Sequence, residues 1–413
     1  MNVLHVIPSV SKVHGGPTHA LTMMERSLSA LGVAVTTLTT DDDGPGRRLS
    51  SASRPHSVDG AMRLYARKWS EFYKFSPGLL TWLLRHVRDF DVIHIHALFS
   101  FSSVAAAFAA RARGVPYVVR PLGTLNEYGV KRRRPWLKTA SFRLIESRIL
   151  THAAAVHFTS QGEWDEAKSL GVPSRGVVIP LGVDGAEVTE QCKPPIEVEA
   201  GQKIVLFLSR LDPKKNVEGL LKAFGSVRQS HSNAVLVIAG DGPAEYVRSL
   251  KSLAEAEGIA EATTWTGHVE GPQKWSTFAA ADVFVLPSLS ENFGIAAVEA
   301  MIAGRACVIG RGVAIAEEIA GAGAGLVTEP DPPSIAHALK SLLDEETLRR
   351  EMGARGRELA EREYASSAMA KRLVELYCRI ARPVEPARQS KPTSDAVAAL
   401  SEPSRPSGEA KEQ

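Results

Sequence analysis

Apolar runs of four to eight residues, most of them closed by a Gly, Pro, Asp or Ser, recur along the sequence and alternate with amphipathic stretches. Runs that short predict strands buried on both faces, and the stretches between them predict the covering helices. In the first half the predicted strands are NVLHVIPS, AVTTLTT, DVIHIHA, YVVR, AAVHFTS and GVVIPL. In the second half they are KIVLFLSR, AVLVIAG, ATTWTGHV, VFVLPS, ACVIG and GLVTE. Two successive sets of this kind predict an α/β protein built from two doubly wound halves. A single barrel of eight units shares the alternation but fits the strand count less well.

The pattern lapses at residues 183–202, a Pro- and Glu-bearing stretch without helical period, which predicts a linker. The first domain is then expected over 1–182 and the second over 203–364. The segment MAKRLVELYCRI, within 365–382, predicts a last helix that crosses back to the first domain. Residues 383–413 carry five prolines, many Ser, Glu and Lys, and no aromatic residue. Such a tail buries too little apolar area to offset its ordering entropy and is expected to be disordered.

Composition narrows the picture. A chain of 413 residues, 44% hydrophobic and 23% charged, suffices for two cores. The net charge of +3 argues against wholesale nucleic-acid binding. Cys192, Cys307 and Cys378 are scattered singly, as reduced thiols would be. The opening MNVLHVIPSV lacks the basic start of a secretory signal. The longest apolar run, ALFSFSSVAAAFAA, falls short of the roughly 18 residues of a membrane span and predicts a core helix. A cytoplasmic protein is expected.

Candidate chemistry clusters after strands, which in an open parallel sheet gather at the carboxyl edge where ligands bind. Gly15 and Gly16 precede Pro17 at the start of a helix, where backbone N–H groups and partial positive charge suit a phosphate; a plain strand-to-helix turn reads the same way. Arg210 and Lys215 flank Asp212-Pro213, and Asn216 stands where it can cap the next helix. Cations beside a helix's positive end gain nothing from it, so an anionic ligand would account for them, although two solvated charges are the plainer alternative. Gly240-Asp241-Gly242-Pro243 repeats the strand–turn–helix design. In SENFGIAAVEAM, Glu291 on a loop and Glu299 inside a helix are separated by seven residues. Asp41-Asp42-Asp43 resembles a metal-binding run, but before Gly44-Pro45-Gly46 it reads as a solvated turn, and no metal is expected.

In their order, strand–Gly-Gly–helix, Ser-Arg-Leu-x-x-x-Lys-Asn, Ala-Gly-Asp-Gly-Pro and Pro-Ser-x-x-Glu-Asn-Phe-Gly-x7-Glu, these segments resemble the motifs of family 4 glycosyltransferases, retaining enzymes found in bacterial exopolysaccharide and lipopolysaccharide assembly. The resemblance spans roughly residues 1 to 380. It implies the GT-B fold, two Rossmann-like domains facing a central cleft, the first binding acceptor and the second nucleotide sugar. It also implies transfer of a hexose from a UDP- or GDP-sugar to a glycan or polyprenyl-linked acceptor, without cofactor or metal. Arg210 and Lys215 would then neutralise the donor diphosphate. Glu299 would take the ribose hydroxyls, and Glu291 would hold the sugar with the backbone of Asn292, Phe293 and Gly294. Gly15 and Gly16 would approach the diphosphate, with Gly240 and Asp241 also on the donor side.

The sequence departs from the family in places. Relatives carry a His near the sugar's reactive carbon, where this chain has Arg120-Pro121. His94 and His96 stand on the preceding strand, on one face, as core histidines commonly do; His96 and Arg120 are nevertheless kept as acceptor-side candidates. The Asn of the family's Pro-Asn-Gly-Val-Asp turn is Leu181 here. The segment Lys131–Leu150 joins a basic run to Trp136, Phe142, Leu144 and Ile145, which suits an anionic membrane surface at the inner face of the cytoplasmic membrane; a helix with a solvated basic face is the alternative. Two rival functions fit the same architecture: a sugar-nucleotide epimerase and a non-catalytic sugar-nucleotide-binding subunit.

Overall fold

A computed structural model describes residues 1–49, 56–125, 141–169, 171–172, 175–185, 193–197 and 199–381. The predicted tail, the basic run 131–138, Cys192 and much of the predicted linker lie outside the described residues. The chain divides into two compact units. One comprises Met1–Phe158, Asp165–Ile179 and the chain from Ala370; the other comprises Thr159–Trp164 and Pro180–Met369.

The first unit holds an eight-stranded sheet: β1 (Asn2–Val6), β2 (Ala34–Thr40), β3 (His56–Val58), β4 (Ala61–Ala66), β5 (Val92–His96), β6 (Tyr117–Arg120), β7 (Ala155–Phe158) and β8 (Gly176–Val178). Their order is β3-β4-β2-β1-β5-β6-β7-β8. Every pair is parallel except β3 with β4. The second unit holds six parallel strands: β9 (Lys203–Leu208), β10 (Ala234–Ala239), β11 (Thr263–Gly267), β12 (Val283–Leu286), β13 (Ala306–Gly310) and β14 (Gly325–Thr328). Their order, β11-β10-β9-β12-β13-β14, runs outward from β9 in one direction and then from β12 in the other. That is the doubly wound arrangement of dinucleotide-binding folds.

The strands of the second sheet are read correctly from sequence because both faces are covered, which leaves continuous apolar runs such as Ile204–Phe207 and Val283–Leu286, all buried. Strands β3 and β4 were not expected. In β4 the alternation is broken by Arg63, yet that side chain is buried against Glu25 of the helix Gly16–Ala30. Thr37 also donates to Glu25, at 2.5 Å, and Arg63 to Thr22, at 2.7 Å. A buried charge is tolerable only when paired and hydrogen-bonded in this way. The run ALFSFSSVAAAFAA forms the core helix Phe101–Arg113 as expected, capped by Ser100 and ended by Gly114 in the left-handed region.

Candidate active site

In the second sheet the chain leaves β9 and β12 in opposite directions, so the loops after these adjacent strands flank the topological switch point. The two loops are joined directly: Leu289 donates its backbone N–H to the Lys214 carbonyl at 2.8 Å. The carboxyl edge predicted to gather the candidate residues therefore exists, with Arg210 and Lys215 on one side and Glu291 on the other.

After β9, Asp212 accepts the Lys214 N–H and starts a single 3₁₀ turn, Pro213–Lys215. Asn216 ends it in the left-handed conformation (φ 57°, ψ 42°). It occupies the cap position of the helix Val217–Arg228, but its side chain makes no capping bond and donates instead to the Pro330 carbonyl at 2.8 Å. The expected side-chain cap is thus corrected: the left-handed backbone turns the amide toward a neighbouring loop. Arg210 is held by its flanks, because Ser209 and Leu211 donate to Ala239 and Asp241. A Cβ at Gly240 or Gly242 would strike the Ser209 or Leu211 carbonyl. Packing alone therefore requires both glycines, and Asp241 stands exposed beside them.

Lys215 and Glu291 form an ion pair, their side chains only 12% and 23% exposed. Burial, then the neighbouring Arg210 and Lys214, push the Lys215 ammonium down to about 8, with Asp212 acting against them. The Glu291 carboxylate in contact favours the charged form. Its loop is fixed by backbone bonds from Glu291 to Gly312 and from Ala314 to Glu291, at 2.9 and 3.0 Å. A Cβ at Gly310 or Gly312 would run into the Pro287–Leu289 backbone. These two glycines support the site and were missed in the sequence, where Gly310-Arg311-Gly312 was legible as a turn only. Gly294, at φ 91°, opens the helix Ile295–Ile302. Phe293 is buried edge-on against Tyr364, with ring centroids 5.6 Å apart.

Glu299 lies within that helix, 4% exposed, and receives Lys274 Nζ at 2.5 Å. Lys274, on the helix Gly271–Ala280, was not expected in the site. A single lysine in an amphipathic helix carries no signal of its partner. This unit presents a cationic group of Arg210, Lys214 and Lys215 against Glu291, and a second carboxylate, Glu299, that holds Lys274. Such a surface suits a ligand with anionic and hydroxyl-rich ends.

In the first unit, Gly15 (φ 62°) caps the helix Gly16–Ala30, and Thr18 and His19 donate to its carbonyl. An added Cβ at Gly15 or Gly16 would meet nothing within 4 Å. These glycines differ from Gly240 in that packing does not demand them. The loop is anchored through Ser11 to Asp43 at 2.5 Å and through His14 to Asp42 at 3.0 Å. Asp42 is completely buried and takes Lys68 and Lys74 at 2.5 and 2.9 Å. The solvated-turn expectation for Asp41–Asp43 is corrected accordingly. The lysines that neutralise Asp42 arrive from 26 and 32 residues further on.

His94 and His96 are fully buried, as are His5 on β1 and His157 on β7. His96 pairs with His5 at 2.9 Å, His94 with the Tyr377 hydroxyl at 2.7 Å, and His157 donates to the Ile179 carbonyl at 2.7 Å. Arg120, 3% exposed, is the β6 register partner of His96. Burial, then the Arg120 charge, push His5 and His157 down to about 3. His5, His94 and His96 bring ligating nitrogens within 4.8 Å of one another, and burial first, with the nearby charges after it, lowers all three rings and favours their neutral form. The acceptor-side candidates His96 and Arg120 thus both lie buried on the first sheet, at 0% and 3% exposure.

Comparison with known proteins gives a consistent result. Residues 189–359 match the family described as glycosyl transferases group 1, and residues 15–182 match the glycosyl transferase 4-like domain. The phosphatidyl-myo-inositol mannosyltransferase of Mycobacterium leprae is 30% identical over 313 residues, 75% of this chain and 79% of that protein. Among solved structures, sucrose-phosphate synthase from Thermosynechococcus elongatus superposes with a TM-score of 0.71 at 19% identity, covering 92% of this chain and 98% of that one. Anabaena HepE, solved with UDP and glucose, gives 0.71 at 17% identity, covering 92% and 100%.

Proposed function

The chain belongs to the family 4 glycosyltransferases of GT-B fold, and on that premise we propose that it is a retaining, metal-independent hexosyltransferase that uses a UDP- or GDP-hexose. The observation that carries the reading is the Lys215–Glu291 ion pair at the switch point, with Arg210 close enough to depress the lysine. A half-buried loop that gathers Arg210, Lys214 and Lys215 against Asp212 and Glu291 keeps a net positive charge, which a diphosphate would balance.

In the proposed reaction the C1–O bond to the diphosphate breaks, and the acceptor oxygen bonds C1 on the same face. The acceptor proton passes to the departing phosphate oxygen. Arg210 and Lys215 stabilise the charge that develops on that phosphate. Glu291, released from Lys215 as the phosphate arrives, accepts hydroxyls of the hexose, with the backbone of Asn292, Phe293 and Gly294 alongside. Glu299 accepts the ribose hydroxyls. Gly15 and Gly16 bring backbone N–H groups to the diphosphate, and Gly240 and Asp241 border the donor.

The acceptor is a glycan or polyprenyl-linked sugar of surface polysaccharide assembly, met at the inner face of the cytoplasmic membrane. No helix among the described residues is long and apolar enough to cross a membrane. Trp69, Phe72, Leu144 and Ile145 are exposed, and the last two follow the basic run Lys131–Lys138 in sequence. This arrangement favours peripheral contact with an anionic surface. The Mycobacterium leprae relative, by its name, acts on a lipid acceptor.

Incubation of the protein with UDP- and GDP-hexoses, with and without Glu291→Ala, tests the reading. Binding and slow hydrolysis of one donor class, lost in the variant, supports it. Epimerised donor would identify an epimerase instead. Tight binding with no turnover across lipid and glycan acceptors would identify a non-catalytic subunit.

A further inference from the structure

Glu146 takes no part in the chemistry above, yet it is completely buried in the first unit. It closes the π-helical turn Phe142–Glu146, a form that often marks functional sites. Ser141 donates to its Oε1 at 3.3 Å, and the Phe99 backbone N–H also donates to the carboxyl. Among the described residues, Oε2 meets no hydrogen-bond partner. Leaving a buried oxygen unsatisfied is costly, so the arrangement needs a reason. Burial pushes this carboxyl up to about 7, against the two donors that favour its ionised form.

The surroundings are strained in a consistent way. Phe99 belongs to the loop after β5, which together with the loop after β1 flanks the switch point of the first sheet. In that loop Ala97 and Phe99 adopt φ of 86° and 55°. Tyr73 and Lys74, on the neighbouring loop, both lie at 54°. Left-handed non-glycine residues are strained, and they persist only where the surrounding structure holds them there. Tyr73 Oη stands 2.5 Å from Ser141 Oγ, which completes a chain from a half-exposed phenol through a hydroxyl to the buried carboxyl. With the Ser141 proton on Glu146, a Tyr73 that donates to Ser141 keeps a phenol lone pair for an outside donor. Phe72, Phe75, Leu144 and Ile145 expose apolar surface on the same two segments.

From this geometry we propose that Tyr73, Ser141 and Glu146 form a hydroxyl-binding site for an amphipathic glycoside, with Tyr73 and Ser141 touching the sugar and Glu146 positioning them. The site would take the acceptor, and in that respect it rests on the glycosyltransferase reading.

The test uses the full chain with n-octyl β-D-glucopyranoside, n-octyl α-D-mannopyranoside and their per-O-methyl ethers as probes. Binding is read by saturation-transfer NMR and calorimetry, for the wild type, Tyr73→Phe and Glu146→Gln. The wild type should prefer a free glycoside to its methyl ether by about tenfold, the value of one or two hydrogen bonds. Both variants should lose that preference while still binding the octyl chain, an outcome that mere loosening of the fold would not produce. Equal preference in all three proteins would overturn the proposal, as would a wild type that binds no glycoside. Nucleotide-sugar binding, measured on the same samples, reports separately on the glycosyltransferase reading. Its failure alongside intact glycoside discrimination would remove the acceptor role and leave the site.

Discussion

Lys274 Nζ lies 2.5 Å from Glu299 Oε1, so the acid assigned to the ribose hydroxyls already carries a counter-ion from another helix. The pair gives Glu299 a cationic partner in a 4% exposed position and leaves its other oxygen to accept a hydroxyl. Lys274→Met should therefore act twice. Global stability should fall by about 1–3 kcal/mol, because a buried carboxylate loses its partner. Donor affinity should fall as well, although Lys274 is assigned no ligand contact. Urea denaturation and calorimetric titration with UDP- and GDP-hexoses check both, and Glu299→Gln in the same background should recover part of the stability.

Lys215 gives opposite pH trends for binding and for stability. Its folded value of about 8 lies below the 10.5 of a free lysine. Between these values the unfolded chain binds more protons than the folded one, so the Lys215 contribution to stability increases as pH rises from about 8 to 10.5. Donor affinity should run the other way and decline as pH rises through about 8, because the neutral amine no longer meets the diphosphate. Comparison with Lys215→Met isolates both slopes. A donor affinity that is flat from pH 7 to 9 in the wild type would contradict the assignment.

The buried histidines make the first unit sensitive to acid. His5 and His157 ionise near 3 when folded and near 6.5 when unfolded. Protons favour the unfolded chain throughout that window, so stability should fall as pH drops below about 6.5, by about 1.4 kcal/mol per pH unit for each fully titrating histidine. Denaturation midpoints at pH 7.5, 5.5 and 4.5 measure the slope. His5→Asn should flatten it by about one histidine's share.

Two glycine substitutions separate packing from binding. Gly312→Ala drives a Cβ into the Leu289 backbone, so it should cost stability, about 1–3 kcal/mol, and shift Glu291. Gly16→Ala meets open space, and the position lies in a helix. Its thermal midpoint should be unchanged or slightly higher, while transfer falls about tenfold if backbone approach to the diphosphate is what the glycine serves.

What could be read in the sequence depended on the range of the interaction. The β9–β14 set was legible because fully covered strands write their burial into adjacent residues. Arg63 hid β4 because its neutralising Glu25 lies 38 residues away. Asp42 looked solvated for the same reason. Arg210, Lys215, Glu291 and Glu299 were singled out by chemical type and spacing, and the shared sheet edge of the first three followed from topology. Their pairing was not legible, since Lys215–Glu291 and Lys274–Glu299 join separate elements. Asn216 combines both cases: its position was readable, whereas its partner at Pro330 was not.

The Tyr377 hydroxyl bonded to His94 joins residues 283 apart, and Tyr377 is fully buried within the first unit. During synthesis, the strands up to β8 leave the ribosome long before this tyrosine does. The second unit, made of nearly continuous chain, gathers its whole β9–β14 sheet in the meantime. The half made first therefore receives its last buried side chains only after the chain of the other half has been made. Until then His94 lacks its hydroxyl partner, and a fragment ending at residue 182 is expected to lack it permanently.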